Sequence, residues 1–328
     1  MGGARPCRRR RRRAGGGRGR PCPGARIMTD MADLPVQRPE APRSAAAARA
    51  RFFNFGNAFN IKLPPVPPSG FPEVLAAAGA PEASTGFYAC DQSAALGCPF
   101  PATTPLMLAR YARIRAGEAL TIELSATGLI IHALRGCGDT ADVAWSAGDI
   151  FLLPGGSPTR LKATEDTLLW IVTDEPLPAL EGARPAPSLL APVHYPAAEI
   201  ERQLAILGTT TQNDATSGMA VIFSSEGLEE ARNITPLLTL SLNTLPPHGT
   251  QRAHRHNSAA ITLVLQGEVC HSAIAGRRVP WQPGTTLVTP PGDPHSHHNR
   301  GAVQARFLIV QDGGLHYHAR TMGFAFLE

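Results

Sequence analysis

Short apolar runs separated by Gly, Pro, Ser and Asp fill most of the chain after about Pro105. Their length and spacing are typical of the strands and turns of a β-barrel rather than of helices. Within residues 238–243 the alternation is strict, so that Leu side chains share one face and Thr, Ser and Asn share the other. The pattern predicts an all-β chain with two strand-rich blocks, at 105–190 and 216–328.

Two segments depart from the strand pattern. Residues 197–207 place Ile200, Leu204 and Leu207 at helical spacing, which predicts a short inter-domain helix within a linker at 191–215. Residues 28–104 begin with Ala- and Pro-rich sequence, which predicts an extended arm or linker with a short helix over 72–79.

The positive charge of the chain is confined to its first residues. The formal net charge is +5, but residues 1–27 contain ten Arg, and the rest has 21 basic and 26 acidic residues. The Arg run is compatible with a nucleic-acid arm or a localisation signal, but no apolar segment of an export signal follows it. We therefore expect a disordered extension at 1–27, a mildly acidic body and no nucleic-acid partner.

The cysteine pattern and the hydropathy bear on the compartment. The six Cys include no CxxC pair and no regular framework, so reduced thiols in a cytoplasmic protein are expected. No apolar run approaches the roughly 18–20 residues of a membrane span, so no membrane association is expected. Barrel edges and an N-terminal arm favour a homodimer.

Histidines are concentrated near the C-terminus, where nine of the eleven lie after residue 247. His254 and His256 are two residues apart, and on a strand this spacing directs both imidazoles to the same side. Such convergence suits a metal ion, although an HxH pair alone is more often a polar strand face. The sequence around the pair decides between these interpretations.

Two segments resemble the paired motifs of the cupin superfamily. Residues 249–267 resemble the first motif, with one residue fewer before the HxH and with Ala260 at the acidic position. Residues 284–299 match the second motif at every fixed position. The resemblance implies two jelly-roll-like cupin barrels in tandem, with His295 completing a metal site begun by His254 and His256.

The first block resembles the second without its ligands. Residues 148–159 repeat the glycine and proline skeleton of the second motif, but Thr159 stands where His295 stands. The segment at 120–128 contains no histidine at all. We therefore expect the barrel at 105–190 to keep the fold, to lack the metal and to have a structural role.

The second block, best over about 215–323, resembles the gentisate 1,2-dioxygenase-like group of two-barrel cupins. The segments that carry the resemblance are AHRHNSAAITLVLQG, WQPG, the His-x-His-x-Asn at 295–299 and FLIVQDGGLHYHARTMG. The group implies a three-His iron(II) site that opens hydroxylated aromatic acids with O2. In gentisate dioxygenases the well-formed iron site lies in the N-terminal barrel, whereas here it falls in the C-terminal one, and residues 28–216 do not resemble those enzymes.

Several chemistries fit three neutral imidazoles. With no carboxylate ligand, the metal keeps its full 2+ charge and about three open positions, enough for a bidentate substrate and O2. An Fe(II) ring-cleaving dioxygenase acting on a small hydroxylated aromatic or related oxygen-chelating substrate is the leading hypothesis. The alternatives are an oxygen-independent hydrolase, lyase or isomerase with Zn, Mn or Ni, and a non-catalytic small-ligand-binding cupin.

Three residues near the predicted ligands are candidates for orienting substrate or moving protons: Gln251, Arg252 and His297. Arg252 has the same parity as His254, so on a regular strand it faces inward and can meet a carboxylate; the alternative is a surface Arg. His297 follows His295 by two residues, which makes it a backup ligand or a proton carrier.

Overall fold

The computed structural model describes residues 30–59, 61–183, 188, 190–211 and 218–327. The extension predicted for residues 1–27 lies outside these ranges. The chain divides into a short N-terminal unit ending at Lys62 and a body beginning at Leu63. The N-terminal unit contains a 3-10 turn (Met31–Asp33), helix α1 (Ala45–Ala48) and a bridge between Gln37 and Phe52.

The body is built mainly of strands. Its helices within the described ranges are α2 (Pro72–Gly79), α3 (Ser93–Leu96), α4 (Pro176–Glu181), α5 (Ala197–Gly208) and α6 (Gly313–Ala319). The strands of the first half are β1 (Gly86–Ala89), β2 (Leu108–Ile114), β3 (Ala119–Ile122), β4 (Gly128–Arg135), β5 (Gly138–Asp139), β6 (Ala144–Trp145), β7 (Ile150–Pro154), β8 (Thr159–Ala163), β9 (Thr167–Thr173) and β10 (Val193–Tyr195). Those of the second half are β11 (Met219–Phe223), β12 (Thr239–Leu245), β13 (His254–His256), β14 (Ala260–Gln266), β15 (Cys270–Ile274), β16 (Arg277–Pro280), β17 (Thr286–Thr289), β18 (His295–Asn299), β19 (Ala305–Gln311) and β20 (Phe324–Phe326).

The two halves repeat one strand order. The larger sheet of the first half runs β1-β2-β9-β4-β7-β10, and that of the second runs β11-β12-β19-β14-β17. The smaller sheets run β3-β8-β5-β6 and β13-β18-β15-β16, with β20 added beside β13 in the second. This correspondence confirms the predicted tandem of two jelly-roll-like barrels, and the predicted helix at 197–207 is present as α5.

Equivalent turns and caps support the repeat. Gly148 and Gly284, which precede β7 and β17, have φ of 91° and 82°, a left-handed conformation that favours glycine. After β9 and β19, Asp174 and Asp312 accept hydrogen bonds from the N–H groups of Thr127 and Ala259, each at 2.8 Å. The same turn glycines and the same aspartate-to-backbone hydrogen bonds therefore occur in both barrels.

The segment predicted as an arm at 28–104 contributes to both barrels. The helix expected over 72–79 is present, and β1 pairs with β2 at the edge of the first large sheet. Just before the helix, Gly70 bridges to Leu287 on β17, and the N–H of Phe71 donates to the carbonyl of Thr286 at 3.0 Å. Residues 69–71 thereby cover an edge of the second large sheet, while the domain boundaries themselves stay a prediction.

A buried polar cluster links the barrels. Tyr111 on β2 donates its hydroxyl hydrogen to the carbonyl of Gly284 at 2.6 Å and lies 2.9 Å from the hydroxyl of Thr286. The indole N–H of Trp170 on β9 donates to the same Thr286 hydroxyl at 2.9 Å. These buried groups satisfy each other, which fixes the first barrel against the strand β17 of the second.

Within the described ranges, the helices are short and the cysteines are unpaired. No helix there has the length and apolar character that crossing a bilayer requires. Cys90, Cys98, Cys137 and Cys270 are free thiols.

His132, a buried histidine in the first barrel, is expected to make the unfolding free energy of the protein depend on pH. Burial lowers the pKa of His132 from 6.5 to about 4, and the carbonyl of Asp149 lies 3.2 Å from its Nδ1. Because the unfolded chain binds a proton more readily than the folded one, this contribution is complete above pH 6.5 and is lost as the pH falls towards 4. The loss reaches about 3 kcal/mol, at roughly 1.4 kcal/mol per pKa unit.

We therefore expect His132→Asn, whose amide keeps a donor for the Asp149 carbonyl, to flatten the fall in unfolding free energy between pH 7 and pH 4. Denaturant titrations at several pH values measure the difference from the wild type. His318→Asn, which removes an exposed histidine instead, is the matched control. Equal slopes in the wild type and in His132→Asn would contradict the assignment.

Candidate metal centre

Three buried histidines meet inside the second barrel. His254 and His256 lie on β13, and the intervening Arg255 is exposed, so the strand alternation directs both rings inward. His254 is the cross-strand partner of His295 on β18. One ring nitrogen from each of the three histidines lies within 4.8 Å of the others, which brings together the three ligands predicted from the motifs.

Each ring is oriented by a backbone carbonyl. The Nδ1 atoms of His254, His256 and His295 lie 2.8, 2.8 and 2.9 Å from the carbonyl oxygens of Arg252, Ser258 and Asp293. Because a carbonyl only accepts, each Nδ1 carries the hydrogen, and each Nε2 has a lone pair available. This is the outer arrangement that fixes the tautomer of metal-ligating histidines.

The protein environment keeps these rings neutral. Burial is the main cause that lowers the pKa of His256 to about 4 and that of His295 to about 3, and burial also lowers the pKa of His254. Neutral imidazole is the form that binds a transition metal. The residues present therefore fit a divalent metal held by three nitrogen ligands.

The histidines open into a cavity of about 470 Å³ within the second barrel. The other residues that line it are Gly218, Ala220, Ile222, Ser241, Asn243, Gln251, Ser258, Ala260, Thr262, Thr289, His297, Ile309, Gln311, Tyr317, Met322 and Phe324. A larger cleft of about 700 Å³ lies elsewhere and is lined mainly by apolar side chains, including Leu190, Val193 and Leu228. The smaller cavity, which contains the histidines, is the candidate site.

The equivalent position in the first barrel is filled with hydrocarbon. Ile122 on β3 pairs with Thr159 on β8 as His254 pairs with His295. Ile122 belongs to an apolar cluster with Leu161 and Phe151, all fully or almost fully buried. The first barrel, which the sequence predicts to lack metal ligands because Thr159 replaces His295, therefore has a packed apolar interior at this position.

Gln311 is a cavity residue that the sequence argument missed. Its side-chain amide nitrogen lies 3.2 Å from Nε2 of His256, the nitrogen left free for a metal. Gln311 ends β19, where Ile309 two residues earlier also lines the cavity. The period-two alternation of this strand was the available signal.

The C-terminal tail covers the ligand strand. β20 pairs with β13, so that Phe326 and Phe324 lie opposite His254 and His256. The ring centroid of Phe324 lies 5.3 Å from that of His254. β20, which follows the segment FLIVQDGGLHYHARTMG, therefore adds the aromatic side chain of Phe324 to the lining of the site.

Gln251 and His297 lie where the sequence predicted them, in the cavity wall. Gln251 is 6% exposed, and its Oε1 atom has no hydrogen-bond partner within the described part of the chain. His297 is buried, with Nδ1 2.8 Å from the hydroxyl of Ser272, which also accepts from the indole N–H of Trp281 at 2.9 Å. Their roles in substrate orientation or proton transfer stay predictions.

Arg252 does not face inward as its parity with His254 predicted. β13 begins only at His254, so strand alternation does not extend back to residue 252. The side chain is exposed, with its guanidinium 4.3 Å from the centre of the Phe326 ring, and it does not line the cavity. Arg252 is therefore the surface Arg that the sequence left as the alternative, and any role of its guanidinium towards a substrate stays a prediction.

The second barrel is similar to parts of known proteins. The family model of the cupin domain matches residues 241–311, which run from β12 to β19. A gentisate 1,2-dioxygenase from a Ralstonia species is 28% identical over 92 residues. The match covers 28% of this chain and 26% of that relative, about a quarter of its length.

Solved structures match over a longer range. A salicylate 1,2-dioxygenase from Pseudaminobacter salicylatoxidans has a TM-score of 0.69 at 15% identity, over 83% of this chain and 92% of that chain. The same enzyme in adducts with gentisate has a TM-score of 0.66 at 14% identity, over 82% and 87% of the two chains. At these identities the match shows the fold.

The strand order and the match to solved structures show a two-barrel cupin fold, and the candidate metal ligands lie in its C-terminal barrel. The chain is similar to gentisate 1,2-dioxygenase in part of that barrel, as the segments between residues 253 and 323 indicated.

Proposed function

We propose that this protein is an Fe(II)-dependent dioxygenase that cleaves the ring of a small hydroxylated aromatic compound. The observation that carries the proposal is the convergence of three neutral imidazoles, with no carboxylate in the cluster, inside a cavity of about 470 Å³. That volume lies within the ordinary range of small-molecule sites. The similarity to gentisate and salicylate dioxygenases supports the same class.

His254, His256 and His295 would hold the metal. A bound Fe(II) would supply coordination positions for a chelating substrate and for O2. The carbonyls that accept from the three Nδ1 atoms hold the ring planes, and the ring of Phe324 lies beside that of His254. The protein thereby holds the three nitrogen ligands in one fixed geometry, which favours reaction between partners bound there.

His297 acts in this proposal as a hydrogen-bond donor towards the cavity. The hydroxyl of Ser272 accepts from Trp281 and is then free to donate its own hydrogen to Nδ1 of His297. That arrangement leaves the remaining hydrogen on Nε2. A donor fixed in this way can orient an oxygen atom of the substrate without itself changing charge.

The oxygen-independent alternative is less well supported by the cavity. Hydrolysis, elimination and isomerisation require a general base, which is most often a carboxylate, a lysine or an accessible histidine. The described residues that line the cavity include no Asp, Glu or Lys. Three of the four histidines there are assigned to the metal, which leaves only His297 for such a role.

Metal content combined with oxygen consumption tests the proposal. We expect about one iron per chain after anaerobic reconstitution, and one O2 consumed per ring opened when salicylate, gentisate or catechol is supplied. With 18O2, both labelled atoms are expected in the product.

A protein loaded with zinc or manganese that turns over such compounds without O2 would instead establish the oxygen-independent class. Metal-dependent binding without any product would establish a binding module. A homodimer in the cytoplasm stays a prediction.

A further inference from the structure

The cavity around the three histidines is polar but uncharged. Apart from the histidines, its polar lining within the described ranges consists of hydroxyls and side-chain amides, and it includes no Arg, Lys, Asp or Glu. Asn243 and Ser241 lie together on one wall, where the Asn243 amide donates to the Ser241 hydroxyl at 2.8 Å. Gln251 and Gln311 supply two further amides.

This lining restricts where a bound molecule can carry negative charge. Three neutral imidazoles leave the 2+ charge of a metal uncompensated, so an anionic chelating group is stabilised directly at the metal. A second anionic group, remote from the metal, would lie among amides and hydroxyls. Burying a charge without a counter-ion costs several kcal/mol in real proteins, and amide donors compensate only part of that cost.

The same lining is well suited to a neutral polar substituent. Oε1 of Gln251 is buried and has no hydrogen-bond partner among the described residues, so it can accept a hydrogen bond from a ligand. An unsatisfied buried acceptor destabilises the protein, and a hydroxyl or amide hydrogen of the ligand would relieve that cost. A carboxylate offers no hydrogen and would face this oxygen unfavourably.

We propose that the cavity selects chelating molecules whose single anionic group binds the metal and whose remote end is a neutral hydrogen-bond donor, and that it rejects dianions with a second carboxylate. The inference rests on the proposed metal-dependent function and names the charge class of its substrate. Gln251 favours the neutral donor through its buried, unpartnered Oε1, and the described lining offers no cation to a second carboxylate.

A series of salicylates with one changed substituent tests the proposal. Salicylate, 5-carbamoylsalicylate and 5-carboxysalicylate keep the same chelating pair, and the last two have nearly the same size and differ in charge. Binding to the metal-loaded protein is measured anaerobically by calorimetry. We expect 5-carboxysalicylate to bind at least about tenfold more weakly than 5-carbamoylsalicylate, whereas equal or tighter binding of the dianion would overturn the proposal.

The outcomes separate the charge rule from the proposed function. If the metal binds and both derivatives bind equally, the charge rule fails and the metal centre stands. If the metal-loaded protein binds none of the three compounds, the proposed substrate class is wrong and the charge rule falls with it.

A variant that adds a cation tests the same point from the protein side. Asn243→Arg places a guanidinium on the cavity wall, and we expect it to tighten binding of 5-carboxysalicylate at least about tenfold relative to the carbamoyl compound. Asn243→Met has similar length without charge and is expected to keep the wild-type preference. Unchanged selectivity in a folded, metal-loaded Asn243→Arg protein would count against the proposal, and the wild-type ligand series remains decisive if that variant does not fold.

Discussion

His295→Ala is expected to lose tight metal binding, with an increase of more than about 100-fold in the dissociation constant. Loss of a partner that merely orients a ligand already costs about 10–100-fold in affinity, and His295 is one of the three proposed ligands. His254→Ala should behave in the same way, because His254 is its cross-strand partner in the cluster. Elemental analysis after dialysis against a weak chelator measures the effect.

The control lies on the same strand. His298 on β18 stacks on His271 outside the metal cluster, with ring centroids 4.7 Å apart. His298→Ala removes an imidazole three residues from His295 and should leave the metal stoichiometry unchanged. If His298→Ala lost metal as readily as His295→Ala, the assigned ligand set would be wrong.

Phe151→Ala is expected to destabilise the protein by about 3–5 kcal/mol, the usual cost of deleting a fully buried aromatic side chain. Phe151 is fully buried and stacks on Trp145, with ring centroids 5.5 Å apart. The space left by the deleted ring would lie in the apolar core of the first barrel. Denaturant unfolding monitored by far-ultraviolet circular dichroism measures the change.

The matched variant is Phe151→Leu, which keeps much of the apolar volume and should cost markedly less. Both variants should keep the wild-type metal content when folded, because the change is made in the other barrel. A loss of metal from folded Phe151→Leu protein would show that the first barrel has more than a packing role.

The sequence indicated the three histidines of the cluster in two ways: the spacing of His254 and His256 is local, whereas His295 came from the resemblance to the second cupin motif. Two histidines at a spacing of two on a strand share one face whatever the rest of the fold does. The turn glycines around β7 and β17 likewise recur because a left-handed backbone conformation limits the choice of residue. The turn skeleton therefore allowed Thr159 to be aligned with His295, and in the structure Thr159 pairs with Ile122 as His295 pairs with His254.

The features of the site that sequence reasoning missed depend on where each strand begins and on which distant strands pair with each other. The inward orientation expected for Arg252 assumed a strand that starts two residues earlier than β13 does. Gln311 and Phe324 are more than fifty residues from His256, and only the pairing of β20 with β13 and the strand order around β19 bring them to the site. Such contacts leave little local pattern in the chain.

The pairing of residues 69–71 with β17 was also invisible in the sequence, because backbone hydrogen bonds do not depend on side-chain type. Its consequence concerns how the molecule can be divided and assembled. A fragment beginning at residue 216 would expose the N–H and C=O groups of β17 that the arm now occupies, and a bare strand edge of this kind invites pairing between molecules. The covering segment leaves the ribosome long before the edge that it protects. Residues 69–71 are therefore already available to pair with β17 when the C-terminal barrel forms.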